Sequence, residues 1–341
     1  MAKQGIHEPR PMRVICIGAG ISGIAAAYKA QRQLVNTELI VYEKNHDEGN
    51  PKWSRFKWQW PDIPGLESFK GKRVVVIGAG SSALQIVPTI QPVVSQLTNF
   101  IRSPTWITAE YGQAFASEGR ETRFTEEQIK LFQSDKWALL EYRRKLLDVA
   151  TKGFDIYYKD TDMQKQAFIA NRKLMRERLQ DNEEICSKLI PDFEVGCRRV
   201  SPGNGYLESL IKPNTKAIFD GIKCVNESGI LDNNNIQHDF DIIICATGFD
   251  VSHRPAFPVL GCGGQNLRDV WSQGPTHYLS VAAPGFPNYW IAGGPNAPIS
   301  NMSLIMGLEL AVDYAFSCVR KMQAEGIASL EVEEDAAKEL M

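Results

Sequence analysis

Apolar runs that end at glycine open two separate stretches of the chain. Residues 13–23 read RVICIGAGISG and residues 73–83 read RVVVIGAGSSA. In each stretch a β-prone run passes into a turn with two glycines, and helix-forming residues follow. The pattern predicts a buried strand, a tight turn and a helix, twice over. A repeated unit of this kind indicates two dinucleotide-binding domains.

The rest of the chain alternates between helical and strand-like periodicity. Residues 125–190 carry apolar positions at helical spacing, and we expect two or three amphipathic helices there, inserted into the second domain. A wholly apolar run that ends at ATG (246–248) predicts a strand buried on both faces. We also expect strands at 216–219, 222–226, 229–231 and within NYWIAGG (288–294), a long helix to about Lys321, and a loose polar tail.

Composition and charge exclude several kinds of partner. The 341 residues are 43% hydrophobic and 23% charged, which is typical of a globular protein of about two domains. A net charge of −2 leaves no excess of one sign to attract nucleic acid, and no apolar run is long enough for membrane insertion. Seven scattered cysteines form neither a CxxC pair nor metal-ligand spacing, so we expect no metal site and a cytoplasmic location. The sequence leaves the oligomeric state open.

The first glycine turn has the features of a site for an adenosine with a free ribose. Gly18 permits the tight turn, Gly20 leaves room for a pyrophosphate, and Gly23 lets the helix pack closely on the strand. The helix N-terminus presents N–H groups and a positive dipole to the phosphates. Glu43 ends the next strand, 20 residues after Gly23, where a carboxylate accepts hydrogen bonds from ribose hydroxyls. A glycine-rich turn with a solvated glutamate is the alternative.

The second glycine turn differs at the position that recognises the ribose. Its candidate cofactor-binding residues are Gly78, Gly80, Ser81, Ser82, Arg102 and Ser103. Arg102 ends the next strand at the place that corresponds to Glu43 in the first repeat. A guanidinium pairs with a 2′-phosphate that a carboxylate would repel, so this turn is predicted to bind NADPH, while the first fits FAD or NAD. A surface arginine at a strand end is the alternative.

The order GAGISG, GAGSSA and ATGFD resembles class B flavoprotein monooxygenases, most closely fungal Baeyer–Villiger monooxygenases of secondary-metabolite pathways. The resemblance extends over PDIPGLESFKGKRVVVIGAGSSALQIVPTIQP, CRR with GYLESL, and GFPNYWIAGGPN, so it covers most of the chain. It implies an α/β fold with two Rossmann-like domains, with FAD on the first glycine turn and NADPH on the second. The FAD-binding domain would consist of residues 1–55 and 236–341, around an NADP-binding domain at 56–235.

The resemblance also implies roles for residues outside the two turns. Arg199 matches the active-site arginine of the family, which stabilises an anionic oxygen intermediate and then the nicotinamide. Arg198 matches the basic residue before it, next to the NADP phosphate. Thr247 and Gly248 match the strand end that links the two domains near the flavin. From the residues alone, a surface arginine pair and a plain strand end are the alternatives.

Two stretches of the family pattern are absent from this sequence. After Glu43 the chain passes almost directly to FKWQWPDIPGL, where the family has a long part of its FAD domain, and the chain ends short of the family's C-terminal segment. Without the first stretch, the first sheet would have an uncovered edge or face, and the reactive face of the flavin would meet water. A gene-model artefact, a degenerate paralogue and a minimal nucleotide-binding form are all consistent with this gap.

These features predict an FAD- and NADPH-dependent monooxygenase that inserts oxygen next to the carbonyl group of a small-molecule ketone. Oxygenation of a nitrogen or sulfur atom is the enzymatic alternative, because the same pair of cofactors serves it. An inactive or uncoupled nucleotide-binding protein is the other alternative, because the segment that covers the flavin is missing. The sequence does not identify the substrate.

Overall fold

The computed structural model is a mixed α/β structure, described for residues 9–44, 65–108, 124–198, 201–297 and 304–340, with only the backbone described at 149–152. Its strands are β1 (Met12–Ile17), β2 (Thr37–Tyr42), β3 (Arg73–Ile77), β4 (Gln96–Phe100), β5 (Ile107–Thr108), β6 (Ser201–Pro202), β7 (Thr215–Ile218), β8 (Ile222–Val225), β9 (Gly229–Asp232), β10 (Gln237–Asp239) and β11 (Ile242–Cys245). Its helices are α1 (Ile21–Gln33), α2 (Ser81–Ile90), α3 (Glu126–Ser134), α4 (Lys136–Lys152), α5 (Asp162–Arg178), α6 (Glu183–Leu189), α7 (Tyr206–Leu210), α8 (Leu267–Val270), α9 (Leu304–Glu325) and α10 (Glu334–Glu339).

The chain divides into two compact units, Met1–Phe56 with Asp250–Met341, and Lys57–Phe249. The dividing point differs from the expected boundary between residues 235 and 236. Strand β11 pairs in parallel with β3, so residues 236–249 lie in the second unit. β11 lies at the edge of this sheet, where Ile244 is buried, Ile242 and Ile243 are half-buried and Cys245 is exposed, so it is not the strand buried on both faces that was expected.

The second unit is built on a parallel sheet in the order β11–β3–β4–β7. Val74, Val75 and Val76 of β3 have no exposed surface, because both faces of the sheet are covered. Side chains of α2 and α7 pack on the face of Val74 and Val76, and Ile230 of the antiparallel sheet β8–β9–β10 packs on the face of Val75. This arrangement is the covered parallel sheet of a Rossmann-like domain, as the sequence predicted.

Four helices, α3 to α6, occupy the region where two or three were expected. Three of these helices begin at a residue whose side chain accepts a hydrogen bond from the first turn, namely Thr125, Thr161 and Asn182. Helices α5 and α6 pack on the core of the second unit, since Met175 and Leu189 have no exposed surface there. The insert is therefore anchored by its C-terminal half.

The first unit contains a much smaller sheet, in which β1 and β2 pair in parallel. One face of this sheet packs against α1 and α9 through a small cluster around Ala26 and Phe316. The other face carries Ile15, Ile17 and Tyr42, whose side chains are 56%, 58% and 57% exposed. The uncovered face that the sequence predicted is therefore present among the described residues of this unit.

Two further expectations were wrong. The stretch NYWIAGG forms only an isolated bridge between Ala282 and Trp290 instead of a strand, because the chain turns back at Asn288, which has a positive φ. The polar tail contains helix α10, whose Ala337 is fully buried and whose Lys338 pairs with Glu334 one turn away. In the described parts of the chain, every helix is too short or too polar to cross a lipid bilayer.

Candidate functional site

The first glycine turn joins β1 to α1. Gly18 has a φ of +101°, which favours glycine, and its N–H donates a hydrogen bond to the carbonyl of Tyr42 at 2.7 Å. A Cβ on Gly23 would collide with the carbonyl oxygen of Gly18, so the close packing of helix on turn requires glycine there. A Cβ on Gly20 would instead point into open space at the N-terminus of the helix. The turn therefore leaves a cradle above Gly20.

Glu43 lies beside this cradle. It follows β2, and its Oε2 accepts a hydrogen bond from the backbone N–H of Ala19 at 2.8 Å. Ala19 stands between the first two glycines of the turn, and the Glu43 side chain is exposed to solvent. In dinucleotide-binding folds, a carboxylate at this position beside the glycine turn accepts hydrogen bonds from ribose hydroxyls.

The second glycine turn repeats this geometry between β3 and α2. Gly78 has a φ of +121°, and its N–H donates to the carbonyl of Phe100 at 2.8 Å. A Cβ on Gly78 would collide with the carbonyl oxygen of Ala246, whereas a Cβ on Gly80 would point into open space. Ala83, fully buried, takes the place of the third glycine. Both turns therefore share the open position at the helix N-terminus.

Helices α1 and α2 differ from the capped helices of the insert in how they begin. Neither has a side-chain hydrogen bond at its N-cap, and neither has an acidic residue in its first turn, although Ser81 and Ser82 begin α2. Helices α3, α5 and α6 have both features. The N–H groups and the positive dipole ends of α1 and α2 therefore face an open cradle without compensation from these side chains. This chemistry fits the pyrophosphate of a dinucleotide.

Arg102 provides a cation at the edge of the second turn. It follows β4 by two residues, and the carbonyl of Phe100 in that strand is the acceptor for the N–H of Gly78. The Arg102 side chain is exposed and makes no hydrogen bond or ion pair with the described residues, and Ser103 beside it is half-buried. A guanidinium without a carboxylate partner is suited to bind a phosphate in a bidentate manner.

Thr247 and Gly248 lie at the same edge of the sheet as Gly78. They follow β11, and the N–H of Ala246 donates to the carbonyl of Ile77, at 2.9 Å, at the end of the neighbouring strand. Gly248 has a φ of +86°, and both residues are exposed. The structure therefore brings these two residues together with the second glycine turn.

Arg198 lies in a loop that packs on the core of the second unit. The indole N–H of Trp106 donates to the carbonyl of Phe193 at 2.9 Å, which fixes this loop near the start of β5. The guanidinium carbon of Arg198 is 5.4 Å from the centre of the Phe193 ring, and its side chain is exposed. Arg199, the residue matched to the catalytic arginine, lies outside the described residues.

Two buried polar residues behind the second turn were missed in the sequence. The side-chain amide of Asn99 donates to the carbonyls of Val76 and Gly78 at 2.9 and 2.8 Å, and its Oδ1 accepts a hydrogen bond from the hydroxyl of Tyr206 at 2.7 Å. Neither side chain has exposed surface, and burial raises the pKa of Tyr206, so its hydroxyl stays a donor. An asparagine inside the apolar run LTNFI was the available signal.

Comparison with known proteins found relatives along most of the chain, although no family model matches it. The FAD-binding monooxygenase tazF of Aspergillus terreus is 31% identical, over 97% of this chain and 79% of the relative. That alignment has 445 positions, so at least 104 of them (445 less 341) have no counterpart in this chain. A Baeyer-Villiger monooxygenase of Pseudomonas aeruginosa is 32% identical, over 80% of this chain and 53% of the relative.

Solved structures with a similar fold include a cyclohexanone monooxygenase. Cyclohexanone monooxygenase from Rhodococcus sp. Phi1, bound to NADP+, matches with a TM-score of 0.61 and 25% identity, over 82% of this chain and 61% of that one. OTEMO in complex with FAD and NADP matches with a TM-score of 0.64 and 23% identity, over 80% of this chain and 55% of that one. This chain therefore spans less than two thirds of the solved structures that share its two-domain Rossmann-type fold.

Proposed function

The chain belongs to the family of FAD-binding monooxygenases, and on that premise we propose that it binds FAD at its first glycine turn and NADPH at its second. The assignment of FAD to the first turn and of NADPH to the second rests on the opposite charges at the edges of the two turns. The first turn has the carboxylate of Glu43 at its rim, while the edge of the second turn has the guanidinium of Arg102, which pairs with no carboxylate of the described residues. A carboxylate accepts hydrogen bonds from a free ribose and repels a 2′-phosphate, which an arginine attracts.

The proposed reaction consumes a ketone, O2, NADPH and a proton and yields an ester or lactone, water and NADP+. Bound FAD would supply the redox chemistry, since a flavin accepts electrons from NADPH and activates oxygen. Glu43 and the N-terminus of α1 hold the adenosine and pyrophosphate of FAD, and Arg102 with the N-terminus of α2 holds those of NADPH. Arg198 lies near the NADP phosphate, and Arg199 provides the fixed cation that stabilises negative charge on the reacting oxygen.

The domain assignment follows from these sites. The unit that contains β1, α1 and β2 forms the FAD-binding domain, and the unit that contains β3, α2 and β4 forms the NADP-binding domain, with the insert α3–α6. Thr247 and Gly248 contribute backbone at the NADP side of the site.

All seven cysteines are free thiols, which supports a reducing compartment such as the cytoplasm. Fungal relatives support a place in secondary metabolism.

A second candidate function is the uncoupled oxidation of NADPH with release of hydrogen peroxide. The observation that favours it is the uncovered face of the first sheet, where Ile15, Ile17 and Tyr42 are more than half exposed. A monooxygenase protects its oxygen intermediate by excluding water, and a poorly covered flavin site would lose that protection. Binding of both nucleotides would then persist while oxygen transfer fails.

The experiment that separates these functions measures three quantities on the purified full chain loaded with FAD. These are NADPH consumed, hydrogen peroxide released, and product formed from cyclohexanone or from an aryl methyl sulfide. Lactone formed in proportion to NADPH supports Baeyer–Villiger oxidation, and sulfoxide formation alone supports heteroatom oxygenation. Peroxide equal to the NADPH consumed supports the uncoupled enzyme. A protein that binds FAD but does not oxidise NADPH under any of these conditions overturns all three functions.

A further inference from the structure

We propose that Asn99 is a positioning residue of the NADPH site and that Tyr206 orients it. The proposal rests on the proposed function of the second glycine turn. Asn99 touches no solvent, so it acts through the backbone of that turn and not on the nucleotide itself. Its effect would be to fix the peptide that follows Gly78 in the orientation that the phosphates require.

Every hydrogen-bonding group of the Asn99 side chain has a partner. Its two N–H groups donate hydrogen bonds to the carbonyls of Val76 and Gly78, at 2.9 and 2.8 Å. The remaining acceptor, Oδ1, is taken by the Tyr206 hydroxyl at 2.7 Å. An amide can be placed in either of two orientations, and a donor on its oxygen side selects one of them. Tyr206 therefore holds the N–H side of Asn99 toward the turn.

The bond to the Gly78 carbonyl determines the direction of the next N–H. A trans peptide is planar, so its C=O and its N–H point to opposite sides. Because Asn99 draws the carbonyl of Gly78 into the core, the N–H of Ala79 points away from the core. The N–H of Gly78 is fixed as well, by the carbonyl of Phe100 at 2.8 Å. Both sides of the first glycine are thus held before any nucleotide binds, which lowers the entropic cost of binding.

The first turn has no counterpart of Asn99 at the matching position of β2. Strand β2 places Val41 opposite Cys16, as β4 places Asn99 opposite Val76, so Val41 is the equivalent residue. A valine side chain donates no hydrogen bond, and among the described side chains the carbonyl of Gly18 accepts a hydrogen bond from the Cys16 thiol alone, at 3.6 Å. The hydrogen bonds from Asn99 are therefore a feature of the second turn and are not a general requirement of a glycine turn of this kind.

Tyr206 is itself held by the helical insert. It is the first residue of α7, and the guanidinium of Arg178 in α5 makes two hydrogen bonds to Glu208 of that helix, at 2.8 and 2.9 Å. Arg178 also donates to the carbonyl of Gly203 at 2.7 Å. A continuous set of hydrogen bonds and packed side chains thus runs from the insert through α7 and Asn99 to the glycine turn.

The test compares Asn99→Asp and Tyr206→Phe with a matched control, Asn214→Asp. Asn214 also donates to two backbone carbonyls, those of Gln91 and Val94, both at 3.1 Å, and also accepts from a side chain, Gln91 at 2.6 Å. It precedes β7 and lies at the opposite end of the sheet from the turn. The measured quantities are the Kd for NADP+, the Kd for NAD+, the bound FAD and the Tm of each full-length protein.

We expect the Kd for NADP+ to rise about tenfold in Asn99→Asp and about threefold in Tyr206→Phe, with about the same rise for NAD+ and unchanged FAD content. The Asn214→Asp control should lower the Tm without changing either Kd. If Asn99→Asp fails to fold, Tyr206→Phe alone decides, because it removes one hydroxyl and leaves the core filled. Wild-type affinity in Tyr206→Phe, or equal weakening in the Asn214→Asp control, overturns the positioning role. A wild-type protein that does not bind NADP+ overturns the proposed function of the second turn and this role with it.

Discussion

Glu43 accepts a hydrogen bond from the N–H of Ala19 at 2.8 Å, so a carboxylate closes the rim of the first glycine turn. The second turn has the same backbone geometry and no carboxylate at the equivalent place, where the chain has Arg102. The backbone of the two turns therefore leaves the same open position at the helix N-terminus, and one side chain at each rim distinguishes them. Reversed charge at equivalent positions separates a free ribose from a 2′-phosphate.

Replacing Glu43 with glutamine is expected to weaken FAD binding about 10- to 100-fold, the range for loss of a hydrogen bond to a charged group. The neutral amide keeps the size of the side chain and loses the negative charge that attracts ribose hydroxyls. Titration of the apoprotein with FAD measures the change. Glu38→Gln on the same strand is the control, because Glu38 pairs with Arg13 at the other end of β2 and should leave FAD affinity unchanged. Equal FAD affinity in the two variants would contradict the ribose role.

Replacing Arg102 with alanine is expected to raise the KM for NADPH about 10- to 100-fold and to leave that for NADH unchanged. The reason is that only NADPH carries the 2′-phosphate. Steady-state oxidation of each nucleotide by the FAD-loaded protein measures the KM for NADPH and the KM for NADH. Arg172→Ala, an exposed arginine on α5, is the control for a general loss of positive charge. Equal losses for NADPH and NADH would refute the phosphate contact.

The two glycines of the second turn are expected to respond differently to alanine. Gly80→Ala places a Cβ in open space at an extended φ, so stability should stay equal or rise by up to about 1 kcal/mol, while NADPH binding is lost. Gly78→Ala meets the carbonyl oxygen of Ala246 at a φ of +121°, so it should unfold the unit at lower denaturant concentration. Urea titrations with and without NADP+ measure both effects. A stable Gly80→Ala variant with full NADPH affinity would contradict a phosphate cradle at that position.

Asp241 predicts a specific loss of stability in acid. The guanidinium and the backbone N–H of Arg73 both bind its carboxylate, at 2.8 Å, and lower its pKa to about 2. The unfolded chain has an aspartate pKa near 3.9, so the contribution of this pair is fully present above about pH 4 and is lost as pH falls toward 2. Unfolding of wild type and Asp241→Asn should therefore differ above pH 4 and converge near pH 2.

The control for that comparison is Glu227→Gln, since Glu227 is exposed in the turn between β8 and β9 and its side chain takes part in none of the ion pairs of the described residues. Its difference from wild type should not vary over this range. The Arg73–Asp241 pair lies where β3 and β11 begin, at the end of the sheet away from the glycine turn, so NADP+ affinity should be unchanged in Asp241→Asn. A stability difference between wild type and Asp241→Asn that is constant from pH 5 to about pH 2 would contradict the assignment.

The glycine turns were predictable because their determinants are local. The positive φ of Gly18 and of Gly78, the close packing at Gly23 and the open position at Gly20 all concern residues within one turn. The uncovered face of β1 and β2 was predictable as well, since it follows from a stretch that the sequence lacks.

Long-range pairing was not predictable. Asn99 and Tyr206 are 107 positions apart in the sequence, and no local pattern reports their contact. The partner of β11 depends on which of the two units offers a parallel strand beside it, and β3 of the second unit does so. Helix α10 was missed for the same reason, because it is stabilised by the burial of Ala337 against other parts of the chain and not by a local sequence pattern.

The proposed function requires that one chain hold FAD and NADPH at two separate turns and that electrons pass from NADPH to FAD. Anaerobic addition of NADPH to the FAD-loaded full chain tests it most directly, with the visible absorbance of oxidised flavin as the readout. We expect NADPH to bleach this absorbance in wild type and to do so more weakly in Arg102→Ala at the same NADPH concentration. A colourless protein that cannot be loaded with FAD, or a bound flavin that NADPH does not reduce, would contradict it.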